Sequence, residues 1–375
     1  MSVYLDCNAT TPLEPQVIEI MRKYLETDFA NEGSRTHEYG NQAKVAVETA
    51  RERVGLVVGA DKSEVIFTSG ATESNNLAIL GLVKHAEETG NNHIITSSIE
   101  HKAVLEPIAL LEDRGFDITI LGPGASGVVT PEKLQQHLTD KTLLVSLMHA
   151  NNETGALQPI DAFAEILDNH HAFFHVDAAQ SYGKEINPLK NKRIDLISCS
   201  AHKVYGPKGI GALIARKRKY KSPPLEPIMV GGGQERGLRP GTLPVHQIAG
   251  FGVAAELALS DHKDRKARCI SIKQDAIKAF ETLDVKYHTH ENSLASTLNL
   301  SVKGVNSEAA IISLKGIAAI SNGSACTSSS YTSSYVLTAM GLEEDSIDGA
   351  LRFSWCHLTE DIPWEVIAEK LKNLS

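Results

Sequence analysis

A chain of 375 residues, 42% hydrophobic and 22% charged, has ordinary globular composition and length for two domains or one large one, which excludes disorder as the default. Its formal net charge of −9 argues against a protein that coats nucleic acid, and the basic run Arg216-Lys217-Arg218-Lys219 reads as a solvated loop. No run reaches the ~18 apolar residues of a membrane helix, and Met1-Ser2-Val3-Tyr4-Leu5-Asp6 has no basic head or long apolar segment of a secretory signal, so a cytoplasmic protein without membrane or direct nucleic-acid contact is expected.

From about residue 60 a strand-then-helix rhythm begins. Val65-Ile66-Phe67, His93-Ile94-Ile95, Ile118-Thr119-Ile120-Leu121 and Leu143-Leu144-Val145-Ser146-Leu147 are apolar runs of strand length. Phe173-Phe174-His175-Val176, Leu196-Ile197-Ser198 and Gly211-Ala212-Leu213-Ile214 continue the series, and helical spacing covers 75–88 and 103–112. Such alternation predicts an α/β fold with a mostly parallel sheet covered on both faces, whose chemistry gathers just past the C-terminal strand ends. After about residue 243 the texture changes. A long helical stretch from 245 past 265, strands at 296–302, 317–321 and 351–354, and a last helix at 361–374 predict a smaller α+β domain. The expected division is a large domain of residues 12–250 and a small one of 1–11 with 251–375.

Three strand ends carry functional residue types. Lys203 follows the strand ending at Ser198 within Ser200-Ala201-His202-Lys203 and precedes Gly206-Pro207-Lys208-Gly209, a setting for a lysine that forms a Schiff base with an aldehyde cofactor; a surface loop lysine is the plainer alternative. Asp177 follows Phe173–Val176, where an acid can keep a pyridine nitrogen protonated or simply cap a helix. Thr68-Ser69-Gly70-Ala71-Thr72-Glu73 opens a helix with small residues, either a phosphate cradle or a capping box. Together they are the handles of pyridoxal phosphate.

Ser200-Ala201-His202-Lys203-Val204-Tyr205-Gly206-Pro207-Lys208-Gly209 resembles the cofactor-lysine motif of cysteine desulfurases, in the class V aminotransferase family. The resemblance spans nearly the whole chain, through Gly70-Ala71-Thr72-Glu73-Ser74-Asn75, Glu100-His101, Asn151-Asn152-Glu153-Thr154-Gly155, Val176-Asp177-Ala178-Ala179-Gln180-Ser181, Arg239-Pro240-Gly241-Thr242, Gly323-Ser324-Ala325-Cys326 and Leu351-Arg352-Phe353-Ser354. It implies fold type I (aspartate aminotransferase-like) with a seven-stranded sheet, and pyridoxal 5'-phosphate bound covalently to Lys203. It implies that His101 stacks on the ring and serves in proton transfer, Asp177 pairs with the ring nitrogen and Gln180 with the ring hydroxyl. Ala71, Thr72, Ser200 and His202 lie at the phosphate, with Thr242 supplied by the partner chain of a homodimer. Arg352 and Asn152 grip the carboxylate of L-cysteine, since a guanidinium fork matches a carboxylate as lysine cannot.

Five cysteines (7, 199, 269, 326, 356), odd in number and without CxxC, fit a reducing compartment and argue against disulfides and structural zinc, so no metal is expected. Cys326 stands apart, in a Gly-, Ser- and Thr-rich stretch after the strand at 317–321 that has little to bury and is expected to be mobile and exposed. By resemblance it attacks the substrate sulfur, releasing alanine, and carries the sulfur as a persulfide to an acceptor protein. Ser328-Ser329-Ser330 and a helix at 336–340 resemble the longer-loop desulfurases, whose acceptors include iron–sulfur scaffolds and tRNA- or DNA-thiolation enzymes. A thiol of pKa ~8.5 must be deprotonated for this.

Three places depart from the family pattern. Trp355-Cys356-His357 stands where Gly-Arg is usual, removing a charge expected near the substrate entrance; Cys7 replaces an aromatic or small polar residue; Ala30-Asn31-Glu32-Gly33-Ser34 lacks the usual proline. Cys7, Cys199, Cys269 and Cys356 read as packing residues, with Cys356 a candidate for secondary persulfide transfer. The competing readings are a selenocysteine lyase or another class V aminotransferase, which would not need Cys326, and a non-catalytic scaffold.

Overall fold

The structure, a computed structural model, describes residues 2–322 and 333–375. β1 (Val3–Tyr4) leads into two helices that precede the expected rhythm, α1 (Pro15–Glu26) and α2 (Glu38–Val57). Then come β2 (Val65–Thr68), α3 (Ala71–Leu80), α4 (Val83–Thr89), β3 (His93–Ser97), α5 (Lys102–Glu112), β4 (Asp117–Leu121) and α6 (Pro131–His137). β5 (Thr142–Ser146), α7 (Ile160–Leu167), β6 (Phe173–Asp177), β7 (Leu196–Ser200) and β8 (Gly211–Ala215) complete the sheet region. The order is β2-β8-β7-β6-β5-β3-β4, parallel except for β8, which runs against both neighbours. The return from β7 to the reversed β8 is the segment that carries Lys203.

Strands covered on both faces are mostly apolar, and β2, β3, β5, β7 and β8 are buried at every position. The edge strand β4 instead exposes Asp117 and Ile120. The helix expected over 75–88 breaks between α3 and α4 at Gly81, where glycine is required because a Cβ would lie 2.4 Å from the Leu77 carbonyl oxygen and 3.0 Å from that of Glu226. A passing segment makes that approach, with Glu226 N–H donating to the Gly81 carbonyl at 2.9 Å.

The helical stretch after 245 divides at Asp261 into α8 (Val245–Ser260) and α9 (His262–Phe280). Beyond it lie β9 (Val285–Tyr287), β10 (Thr297–Val302), α10 (Ser307–Ser313), β11 (Ala318–Ala319), α11 (Tyr335–Ala339), α12 (Glu344–Asp348), β12 (Ala350–Ser354) and α13 (Trp364–Lys372). β12, β10 and β9 form an antiparallel sheet, and β1 pairs in parallel with the two-residue β11.

One face of the large sheet buries Phe67, Val176 and Ile197 with Val47, Ala50 and Val54 of α2 and Ile248 and Phe251 of α8. A Cβ on Gly252 would sit 2.7 Å from Ala50 Cβ, so glycine lets α8 close on α2. The opposite face packs Leu77 and Ile79 of α3 and Val104 and Leu111 of α5. A separate cluster joins Phe280, Phe353, Trp355 and Trp364, with ring centroids 5.5–6.1 Å apart, and takes in Leu5. The expected division at residue 250 falls inside α8, whose residues through Ala258 belong to the first cluster, whereas Cys269 onward in α9 belong to this one.

Candidate active site

The C-terminal ends of β2, β3, β5, β6 and β7 open onto a cavity of about 640 Å³. Below it, the buried His175 ring lies 2.8 Å from Ser146 Oγ and 2.9 Å from Ser198 Oγ, tying β6 to β5 and β7. Burial lowers His175 to about 3, so it bridges as a neutral ring. Two residues on, Asp177 enters the cavity wall. Its Oδ1 accepts from Ala179 N–H at 2.9 Å and its Oδ2 from Asn75 Nδ2 at 2.7 Å, leaving each carboxylate oxygen further accepting capacity.

Lys203 stands in the 3₁₀ turn after β7, and its Nζ donates to the main-chain carbonyls of Asn8 and, at 2.9 Å, of Ala9. Those carbonyls belong to the segment after β1, and Asn8 is fixed in turn: its Nδ2 donates to Asn152 O at 3.1 Å and its carbonyl accepts from Gln180 Nε2 at 2.9 Å. Neither Asn8 nor Asn75 was assigned a role from the sequence. Lys208 also lines the cavity.

The remaining expected residues divide clearly. Ala71, Thr72, Asn152, Gln180, Ser200 and His202 line this cavity with Lys203, Asp177 and His101. His101 caps α5, where its Nδ1 accepts from Ala103 N–H at 3.1 Å. Burial lowers its pKa, Asp177 opposing, so the neutral ring carries its proton on Nε2. Its neighbour Glu100 is wholly buried, and desolvation raises it to about 8; its Oε1 accepts from Ser97 Oγ at 2.6 Å and Met148 N–H at 2.8 Å, which pins the β3 and β5 ends together. Burial and the nearby lysines lower His202 to about 4.

Arg352 and Thr242 lie outside this lining. Arg352, 1% exposed, has Nη2 2.6 Å from Asp6 Oδ1 and donates from Nη1 to the Asn152 carbonyl at 3.0 Å, so it reaches the cavity wall through Asn152. Its Nε is buried without a partner. Thr242 is exposed. Cys326 lies outside the described residues. His357, in the segment that stands where Gly-Arg is usual, pairs with Glu14 at 2.8 Å and meets the Tyr205 ring edge-on.

The chemistry left open fits pyridoxal phosphate. Three buried amide oxygens on this wall, Asn75 Oδ1, Asn152 Oδ1 and Gln180 Oε1, have no partner, an expensive arrangement unless a ligand supplies donors. Since Gln180 Nε2 is committed to Asn8, its free Oε1 can accept from a ring hydroxyl. The start of α3 at Gly70 carries no side-chain cap, so the capping-box alternative fails there and first-turn N–H groups remain for a phosphate. Among the described residues no group of three or more His, Cys, Asp or Glu side chains could hold a metal ion.

Comparison with known proteins agrees with this geometry. The family model described as aminotransferase class V matches residues 3–361. Cysteine desulfurase IscS of Vibrio vulnificus (strain CMCP6) is 43% identical over 387 residues, covering 100% of this chain and 95% of that protein. A solved NifS-like protein superposes with a TM-score of 0.91 at 34% identity, over 100% of this chain and 99% of its own. The structure of SspA in complex with cysteine gives a TM-score of 0.83 at 38% identity, over 94% and 98%.

Proposed function

Because this chain belongs to the aminotransferase class V family and is a cysteine desulfurase dependent on pyridoxal phosphate, we propose that the strand-end cavity is where L-cysteine gives up its sulfur. The observation that carries the site assignment is the convergence of Lys203, Asp177 and the unpartnered Gln180 oxygen on one cavity. When bound, the cofactor supplies an electron sink that weakens the bonds at the substrate Cα.

Lys203 is the covalent anchor and, once displaced by L-cysteine, takes the Cα proton at Nζ. Asp177 keeps a pyridine N–H protonated, and Asn75 and Ala179 N–H hold its carboxylate in place. Thr72, Ser200 and His202 surround the phosphate with Ala71; His202, neutral, contributes a hydrogen bond rather than charge. His101, neutral with its proton on Nε2, is placed to donate a hydrogen bond, and it gives up a proton only after first gaining one. Asn152 on the cavity wall receives the substrate carboxylate, joined by Arg352 once its guanidinium turns from Asp6 toward the cavity; Cys326 takes the sulfur as a persulfide, and an acceptor protein removes it. The exposed Thr242 is available to the cofactor of a second copy in a homodimer. Among the described residues no helix is long and apolar enough to cross a membrane.

Purified protein given L-cysteine and a reductant is expected to be yellow and to release alanine and sulfide in equal amounts. Amino-group exchange without sulfide would point to an aminotransferase instead. Asp177→Asn is expected to keep cofactor but lose turnover about 10²-fold, because a neutral amide cannot favour the protonated ring nitrogen. A wild-type rate would reduce Asp177 to a structural group.

A further inference from the structure

Cys7 and Cys356 take no part in the strand-end cavity, yet these two departures from the family pattern meet in space. Residues 5–8 run along the end of β12: Ser354 N–H donates to the Leu5 carbonyl at 2.8 Å, Cys7 N–H to the Ser354 carbonyl at 3.0 Å, and Asn8 N–H to Ser354 Oγ at 2.9 Å. That register places the two cysteines in the same buried cluster. Both line a second cavity, of about 430 Å³, which shares no lining residue with the first.

The two sulfurs are not equivalent. Cys356 opens a tight turn in which its N–H donates to Thr359 Oγ1 at 3.0 Å, Thr359 N–H donates back to its carbonyl at 3.0 Å, and Thr359 Oγ1 lies 3.5 Å from Sγ. Hydrogen bonds from Cys7, Thr359 and Leu358 N–H lower the Cys356 thiol below its ordinary value against the opposing effect of burial. The same contact with Cys356, and burial, push Cys7 up. With the Thr359 hydroxyl 3.5 Å from its Sγ, Cys356 is the sulfur placed to act as the nucleophile. The residues are 1% and 2% exposed, which shields them from bulky reagents, while the cavity admits a small oxidant.

We propose that Cys7 and Cys356 are an oxidant-sensitive dithiol, converted to a disulfide by small hydroperoxides. The Cys356 thiolate attacks one peroxide oxygen, the O–O bond breaks, and water leaves after protonation, giving a sulfenic acid. The Cys7 sulfur then attacks Cys356 Sγ, the S–O bond breaks, and a second water carries away the hydroxyl with the Cys7 proton. Two thiols lose two electrons and hydrogen peroxide gains them, so that 2 RSH + H₂O₂ gives RSSR + 2 H₂O. The pairing of Cys7 N–H with the Ser354 carbonyl holds the two cysteines on neighbouring segments, as a disulfide between them requires.

The test uses the holoenzyme, treated with a small excess of hydrogen peroxide, quenched with catalase, alkylated in denaturant without reductant, digested and mass-mapped. The expected result is a linked pair of peptides carrying Cys7 and Cys356, ~2 Da lighter than their sum and separated by dithiothreitol. In Cys7→Ser the expected product is a dimedone adduct on Cys356, because the resolving thiol is gone. Recovery of both cysteines as alkylated free thiols, when the same treatment oxidises Cys326, overturns the proposal. So does finding either of them joined to Cys326.

Discussion

Lys203→Ala abolishes the covalent hold on the cofactor and lowers turnover about 10³-fold, the loss of both the anchor and the group that moves the Cα proton. The side chain is placed for this by two main-chain carbonyls, those of Asn8 and Ala9, on which Nζ rests. No substitution elsewhere recreates an amine at that point. Lys208 also lines the cavity but is exposed, so it is the internal control. Borohydride reduction followed by peptide mapping should label Lys203 in wild type and no lysine in the variant. A label on Lys208, or full turnover by Lys203→Ala, would sink the assignment. Cofactor held without a covalent bond is expected in the variant, because the phosphate and ring contacts are untouched.

Cys326→Ser is expected to bind cofactor and L-cysteine as wild type does and to release no alanine, since neither binding step needs the thiol and a serine hydroxyl is a poor nucleophile toward sulfur. Wild type incubated with L-cysteine should gain the mass of one sulfur atom on the peptide bearing Cys326, removable by reductant. Structure sharpens the alternative that Cys356 receives the sulfur. Cys356 is buried and faces the second cavity, not the one containing Lys203 and Asp177. Sulfur found first on Cys356, or alanine release at the wild-type rate by the serine variant, would refute the role given to Cys326.

The sheet was legible because its strands are buried on both faces, which forces runs such as Val65-Ile66-Phe67 that few other settings tolerate. α2 escaped notice for the converse reason. Its buried face is built largely from Ala43, Ala46, Ala50 and Gly55, small residues that allow close helix packing but give weak hydrophobic contrast. The segment that packs against the break at Gly81 lies more than a hundred residues downstream, an approach no local pattern records. Within the site, Lys203, Asp177 and Thr72 could be found because strand ends concentrate functional side chains. The carbonyls of Asn8 and Ala9 could not, since a main-chain oxygen is offered by every residue type. Cys7 and Cys356 were both visible as departures, but only the register of residues 5–8 along β12 makes them neighbours.

The contacts of residues 3–9 bear on when this chain becomes competent. Asp6 meets Arg352 and Asn8 meets Ser354 across 346 positions of sequence, and β1 finds its partner only in β11. On a ribosome, all seven strands of the large sheet emerge before β11 and β12 exist, although Asn152, Gln180 and Lys203, which also meet Asn8, are already made. Closing so long a loop is entropically slow compared with local pairing. A nascent chain can thus complete its sheet while the segment that receives Lys203 still lacks those two strands. Assembly of the scaffold and the full anchoring of the segment beneath the lysine are therefore separable in time, since its β11 and β12 partners come last.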